Sequence, residues 1–157
     1  DRILILYPTL VFGGNNHFPY SHISTGINSA KSYLNIIRFL KIDGGFHIIH
    51  SKDIAKIVCY LCFNPHEKNH YILGTKPITP NDAIRKLCKF HRKRIYFQIK
   101  ITKRFVFWLS KWFKIKIHQW DRYCIENPYM IYDTVMPSTF HLKDTYPTLE
   151  AVLADYQ

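Results

Sequence analysis

The apolar and polar positions divide the chain into short strands and capped helices. Residues 3–7, ILILY, form an unbroken apolar run closed by Pro8, which predicts a buried strand. Residues 13–22 carry Gly, Asn, Ser and His and predict a loop. In residues 26–40, Ile27, Ala30, Leu34, Ile37 and Leu40 fall near one helical face. Asp43-Gly44-Gly45 is turn chemistry, and residues 46–50 predict a short strand. Ser51 is the expected N-cap of a helix with Ile54, Ile57, Val58, Leu61 and Cys62 on one apolar stripe, and Asn64-Pro65 stops it. Residues 71–74 predict a brief strand. Thr79, Pro80 and Asp82 then suit the N-cap, N1 and N3 positions of a helix with Ile84, Leu87, Cys88 and His91 inside. Residues 95–101 predict a further strand, and Thr102 caps an amphipathic helix to about Lys114. Residues 120–126 predict a short helix broken at Asn127-Pro128, and a last helix follows Pro147 with Thr148 as its cap. Strands alternating with helices give an α/β class, and no Pro/Gly/Ser-rich linker divides the chain.

The bulk numbers narrow the classes. A length of 157 residues fits one domain, and 47% hydrophobic with 16% aromatic residues excludes a disordered chain. The longest apolar run, residues 57–63, is far short of the ~18 that a membrane span needs. No signal-peptide or transit-peptide pattern is visible in these residues. Lys and Arg number 22 against 11 Asp and Glu, and the resulting +11 favours anionic partners. Cys59, Cys62, Cys88 and Cys124 are expected as reduced core residues of a cytoplasmic protein.

Four motifs invite chemistry. His66 to His70, HEKNH, has the letters of a zinc protease, but it follows a helix stop and therefore sits on a loop. No metal site is expected. Cys59 and Cys62 form C-x-x-C without a second pair, and core packing is the expectation. Lys89 to Arg94, KFHRKR, lies at a helix C-terminus, where positive charge opposes the dipole, so no nucleic-acid partner is expected. In the helix starting near Lys103, Phe105, Trp108, Leu109, Trp112 and Phe113 share a stripe, with Lys103, Arg104, Lys111 and Lys114 largely off it. That pattern suits peripheral membrane contact as well as a pocket cover or subunit contact. Gly13-Gly14 is too little for a dinucleotide fingerprint, and no P-loop occurs.

Four stretches in order, ILYPTLVFGG, FHIIHSKDIAKIV, YILGTKPITPNDAIRKLCKF and FHLKDTYPTLEAVLADY, resemble the C-terminal half of extended short-chain dehydrogenase/reductases, the NAD-dependent epimerase/dehydratase-like proteins. The resemblance implies a partial Rossmann-like sheet with a small α+β substrate-side subdomain, all within one partial domain over residues 1–157. It implies that the NAD- or NADP-binding half and the catalytic Tyr and Lys lie upstream, so no catalytic residue is assigned here. Pro8, Thr9 and Val11 match positions that approach the nicotinamide. Asn15, Asn16, Ser21 and His22 fall in the loop that would face a small-molecule substrate. His50 and Asp53 match a His and an Asp expected to orient a helix start. Homo-oligomer formation is a further expectation. Tyr7, Leu10 and Phe46 depart from the family pattern. Leu10 and Phe46 replace an Asn and a phosphate-gripping Arg of sugar-nucleotide epimerases, which weakens a nucleoside-diphosphate-sugar substrate.

Overall fold

The computed structural model describes residues 3–14, 21, 34–65, 68–112 and 118–155. Residues 26–33 of the first expected helix, the first two residues of HEKNH, Phe113, Lys114, and the loop residues Asn15, Asn16 and His22 lie outside them. Strand β1 (Ile5–Pro8) runs almost directly into β2 (Leu10–Phe12). β3 (Leu40–Lys41), β4 (Ile48–His50) and helix α1 (Ser51–Phe63) follow. Then come β5 (His70–Leu73), α2 (Pro80–Phe90), β6 (Ile99–Lys100), α3 (Lys103–Trp112) and α4 (Gln119–Glu126). A 3-10 turn (Pro137–Phe140) and α5 (Leu149–Ala154) close the series.

Among the described residues the three named strand pairs are parallel, β1 with β5, β2 with β4, and β3 with β6, and an isolated antiparallel bridge joins Phe46 to Ile78. The β1–β2 stretch changes partner at Thr9. Ile5 lies opposite His70 and Pro8 opposite Leu73, whereas Leu10 lies opposite Ile48 and Phe12 opposite His50. The Thr9 amide donates to Leu73 O at 3.0 Å and the Leu10 amide to His47 O at 3.3 Å, so the exchange occurs within one residue.

One apolar cluster packs Ile57 and Leu61 of α1 against Leu73, Ile49, Leu4 and Leu6. A second joins Val152 and Leu153 of α5 to Phe12, Ile48 and Ile78. A third sets Ile84 and Cys88 of α2 on Leu34.

Several caps form as the sequence predicts. Thr79 Oγ1 accepts from the Asp82 amide at 3.1 Å, and Thr148 Oγ1 from the Ala151 amide at 3.3 Å. Asn64 ends α1, its amide donating to Tyr60 O at 3.0 Å. Each such side chain satisfies a backbone group the helix leaves unpaired.

Other expectations fail for identifiable reasons. The first strand is not buried: Ile5 is 46% and Tyr7 52% exposed, because α1 covers only the opposite face, where Leu4 and Leu6 point. The expected helix of residues 26–40 stops early; residues 34–37 are helical, and Leu40 belongs to β3. Residues 95–98 have no regular secondary structure, so the expected strand shrinks to β6. Ser51 is the first residue of α1, not its cap; His50 takes that role, accepting from the Lys52 amide through Nδ1 at 3.1 Å. Gly13 explains the displacement. With φ of +153° and a Cβ position filled by the Ser51 side chain, it presses directly on the first turn of α1.

The buried face of α1 is Asp53, Ile57 and Leu61, so Val58 turns outward, as do Cys59 and Cys62. The core role expected of those cysteines holds for Cys88 alone, with Cys124 half-buried. The rotated face gives a direct check. Ile57→Ala is expected to lower unfolding free energy by about 2–5 kcal/mol. Val58→Ala is expected to change it by less than about 1 kcal/mol, as at other surface positions. Urea denaturation of the two variants separates them; equal losses would show that the helix presents the stripe first expected.

Candidate functional site

Ligands of open α/β sheets bind beyond the carboxyl ends of the strands. Here those ends converge on the residue where β1 hands over to β2. Thr9 Oγ1 donates to Leu73 O at 2.9 Å, tying the end of β1 to the end of β5. Gly74 lies beneath: a Cβ there would come within 2.9 Å of both Thr9 Oγ1 and His47 Cβ and 3.1 Å of Thr134 Cγ2. Only glycine allows this approach of three segments.

His47, buried just before β4, holds the group together. Its Nδ1 meets Thr75 O at 2.7 Å and its Nε2 accepts from the Tyr132 amide at 3.0 Å. A carbonyl on one nitrogen and an N–H on the other fix the tautomer, with Nδ1 the donor. Thr134 Oγ1 donates to the same Thr75 carbonyl at 3.2 Å. The sequence expectations omitted His47, Thr75 and Thr134 as site residues. A polar residue inside the apolar FHIIH strand was the available signal for His47.

Of the expected cofactor positions, Pro8 ends β1 and is exposed, Thr9 joins the two strands, and Val11 lies within β2, half-buried and packed against the Ile57–Leu61 cluster. Ser21 is brought back to the exit of β2, where its amide donates to Gly13 O at 3.0 Å. Leu10, 40% exposed, stands at the same end.

A second polar group marks the start of α1. Asp53 is fully buried and accepts from the Thr145 amide at 2.8 Å and the Tyr146 amide at 2.9 Å. Two charge-assisted bonds answer the cost of burying the carboxylate, and they pin the segment before α5 to α1. The His50 ring stacks on Tyr146 at 3.9 Å between centroids. Lys52 Nζ donates to the Tyr146 hydroxyl at 3.0 Å and lies 3.7 Å from Asp155 Oδ2. His50 Nε2 stands 3.8 Å from the same carboxylate oxygen and, buried, finds no hydrogen-bond partner among the described residues.

Burial pushes the Tyr146 phenol up, and its hydroxyl holds the Lys52 ammonium above its ordinary value. Both then keep their protons at neutral pH. Of the two residues expected to orient a helix start, His50 caps α1 through the Lys52 amide, whereas the Asp53 carboxyl binds the Thr145 and Tyr146 amides instead.

The sequence reading finds no Tyr-x-x-x-Lys pair, and this is corrected by residues 96–100, YFQIK, in which Tyr96 and Lys100 have that spacing. Tyr96 precedes β6 in chain without regular secondary structure and Lys100 lies within β6, so no helical turn brings the two side chains together. Lys100 instead pairs with Asp43 at 2.8 Å. Among the described residues no group of three metal-binding side chains occurs, and no helix is long and apolar enough to cross a membrane.

His50 supplies a pH test. Burial lowers its pKa below 6.5, outweighing the pull of Asp155. The unfolded chain therefore takes up the proton first, so the contribution of neutral His50 is complete above about pH 6.5 and erodes as pH falls below it. His50→Asn retains a good cap without a titrating ring. Thermal denaturation between pH 7 and pH 5 is expected to show a steeper loss for the natural protein than for the variant. Parallel curves would remove His50 from the account.

No family model and no curated protein matches this sequence. Two solved structures match the fold. The crystal structure of gox2253 is 18% identical over 83% of this chain and 41% of its own, with a TM-score of 0.53. PA4631, a nucleoside-diphosphate-sugar epimerase from Pseudomonas aeruginosa, is 10% identical over 96% of this chain and 45% of its own, with a TM-score of 0.54. The chain therefore spans less than half the length of the solved structures it matches. Its fold is α/β, and its parallel strand pairs match part of a Rossmann-like epimerase fold.

Proposed function

We propose that this chain is the carboxyl-terminal half of an NAD(P)-dependent oxidoreductase or epimerase/dehydratase-like protein. The observation that carries the reading is the handover at Thr9, which opens the ends of β1 and β5 where such sheets bind ligands. Pro8, Thr9 and Val11 would border the nicotinamide. Ser21, with Asn15, Asn16 and His22 of the same loop, would face a small-molecule substrate. The dinucleotide, when bound, supplies hydride transfer. The described residues here position and enclose; neither a pyrophosphate cradle nor a matched acid–base pair stands at their strand end. Both belong to the half that precedes β1 in this reading. The exposed outer row of Ile3, Ile5 and Tyr7 is the sheet face that half would cover.

Calorimetric titration tests this. The full-length parent is expected to bind NAD or NADP, whereas the 157-residue chain is expected to bind dinucleotide poorly and to show no hydride-transfer activity. A parent that binds neither cofactor, or turnover by the chain alone, would reject the assignment.

A second reading rests on α3, a peripheral membrane contact. Phe105 and Trp108 are 46% and 52% exposed and stack at 5.8 Å, beside exposed Lys103 and Arg104. Aromatic rings flanked by cations suit an anionic headgroup layer, with each cation contributing about 1 kcal/mol. Co-sedimentation with anionic vesicles is expected to weaken as salt rises and to be lost in Phe105→Ala with Trp108→Ala. Equal partitioning of the natural protein and the variant would discard this reading.

A further inference from the structure

A cavity of about 660 Å³ lies between the β3–β6 pair and helices α3 and α4. It shares no residue with the strand-end site around Thr9 and His47. Its volume falls in the roughly 300–1,000 Å³ range of small-molecule sites. Leu40, Ile42, Ile101, Val106 and Ile125 make its walls apolar, with the Cys124 thiol among them. A nucleotide would find few hydrogen-bond partners on such walls. An apolar chain would find dispersion contacts throughout.

The cavity also has a charged margin. Lys100 and Lys103 line it with solvent-exposed side chains, and one carboxylate, Asp43, lies beside them. Lys100 Nζ pairs with Asp43 at 2.8 Å, and Lys103 Nζ donates to Glu126 O at the end of α4 at 2.6 Å. Each ammonium has three donors, so each keeps hydrogens for another acceptor. Two cations against one carboxylate leave the margin net positive. Phe105 belongs both to the cavity wall and to the exposed stack with Trp108, so an aromatic ring stands at the junction of cavity and surface.

We infer that this cavity binds a long-chain carboxylate, with its chain between the two strands and two helices and its head at Lys100 and Lys103. The inference is independent of the dinucleotide assignment, because no cofactor-side residue takes part. A folded chain gains from filling such a space, since a ligand that binds only the folded state stabilises it.

The probe is cis-parinarate, a fluorescent long-chain carboxylate, added to the full protein without NAD or NADP. It is expected to bind saturably and to raise the melting temperature. Val106→Trp, which fills the cavity, is expected to weaken binding at least tenfold. Lys100→Gln with Lys103→Gln is expected to weaken the carboxylate severalfold and leave the alcohol of equal chain length unaffected. The natural cysteines give a readout without mutation. Parinarate is expected to slow alkylation of Cys124, followed by peptide mass spectrometry, without changing that of the exposed Cys59 and Cys62. This arm decides the matter if Val106→Trp does not fold. Unprotected Cys124, equal slowing at all three thiols, or undiminished binding to a folded Val106→Trp would overturn the inference. Protection by phosphatidylserine vesicles but not by monomeric parinarate would also overturn it, and give the cavity to a membrane lipid.

Discussion

One extended stretch, residues 5–12, must satisfy two parallel partners, and the other elements arrange themselves around that demand. A strand can exchange partners only where its amides can be taken up at once, since an orphaned buried N–H costs about as much as a lost hydrogen bond. Thr9 and Leu10 meet the condition on successive residues, through Leu73 O and His47 O. The exchange brings the ends of β1 and β5 beside the strand that leads into α1. Gly74 has no side chain because three segments crowd there, and His47 braces the crossing by spending both ring nitrogens on backbone. The candidate site is thus the by-product of a backbone constraint.

A second constraint acts on α1. Asp53 occupies the middle of its inner face, so a carboxylate sits where periodicity would put an apolar residue. Its two acceptors meet the backbone amides of Thr145 and Tyr146, which joins residues far apart in the chain. The same segment then leads through Thr148 into α5, whose Val152 and Leu153 close the cluster under β2 and β4. One buried charge thereby ties the end of the chain to its first strands.

These two constraints mark the limit of what the sequence reveals. Caps at Thr79, Thr148 and Asn64 were legible because each depends on a few adjacent residues. So was the α/β class, which needs only the order of patterns. The rotation of α1 was hidden, since Asp53 counts as polar in any periodicity and its donors lie in a distant segment. Ser51 looked like a cap by type, but Gly13, just past β2, lies against its side chain. The exposure of Ile5 and Tyr7 was equally invisible, because an apolar run records what a strand can bury rather than what covers it. At the site, Thr9 and Ser21 were named from motif order, whereas His47, Thr75 and Thr134 meet only in three dimensions.

The outward row of Ile3, Ile5 and Tyr7 has a consequence for the 157-residue chain on its own in concentrated solution. Among the described residues β1 pairs with β5 alone, so two molecules that meet along this row can bury apolar surface without unfolding. The opposing influence is charge: at +11, each molecule repels its copy. Salt shortens the reach of that repulsion to about 10 Å at 0.1 M and about 3 Å at 1 M, while the apolar attraction persists. Raising ionic strength therefore favours contact along this row.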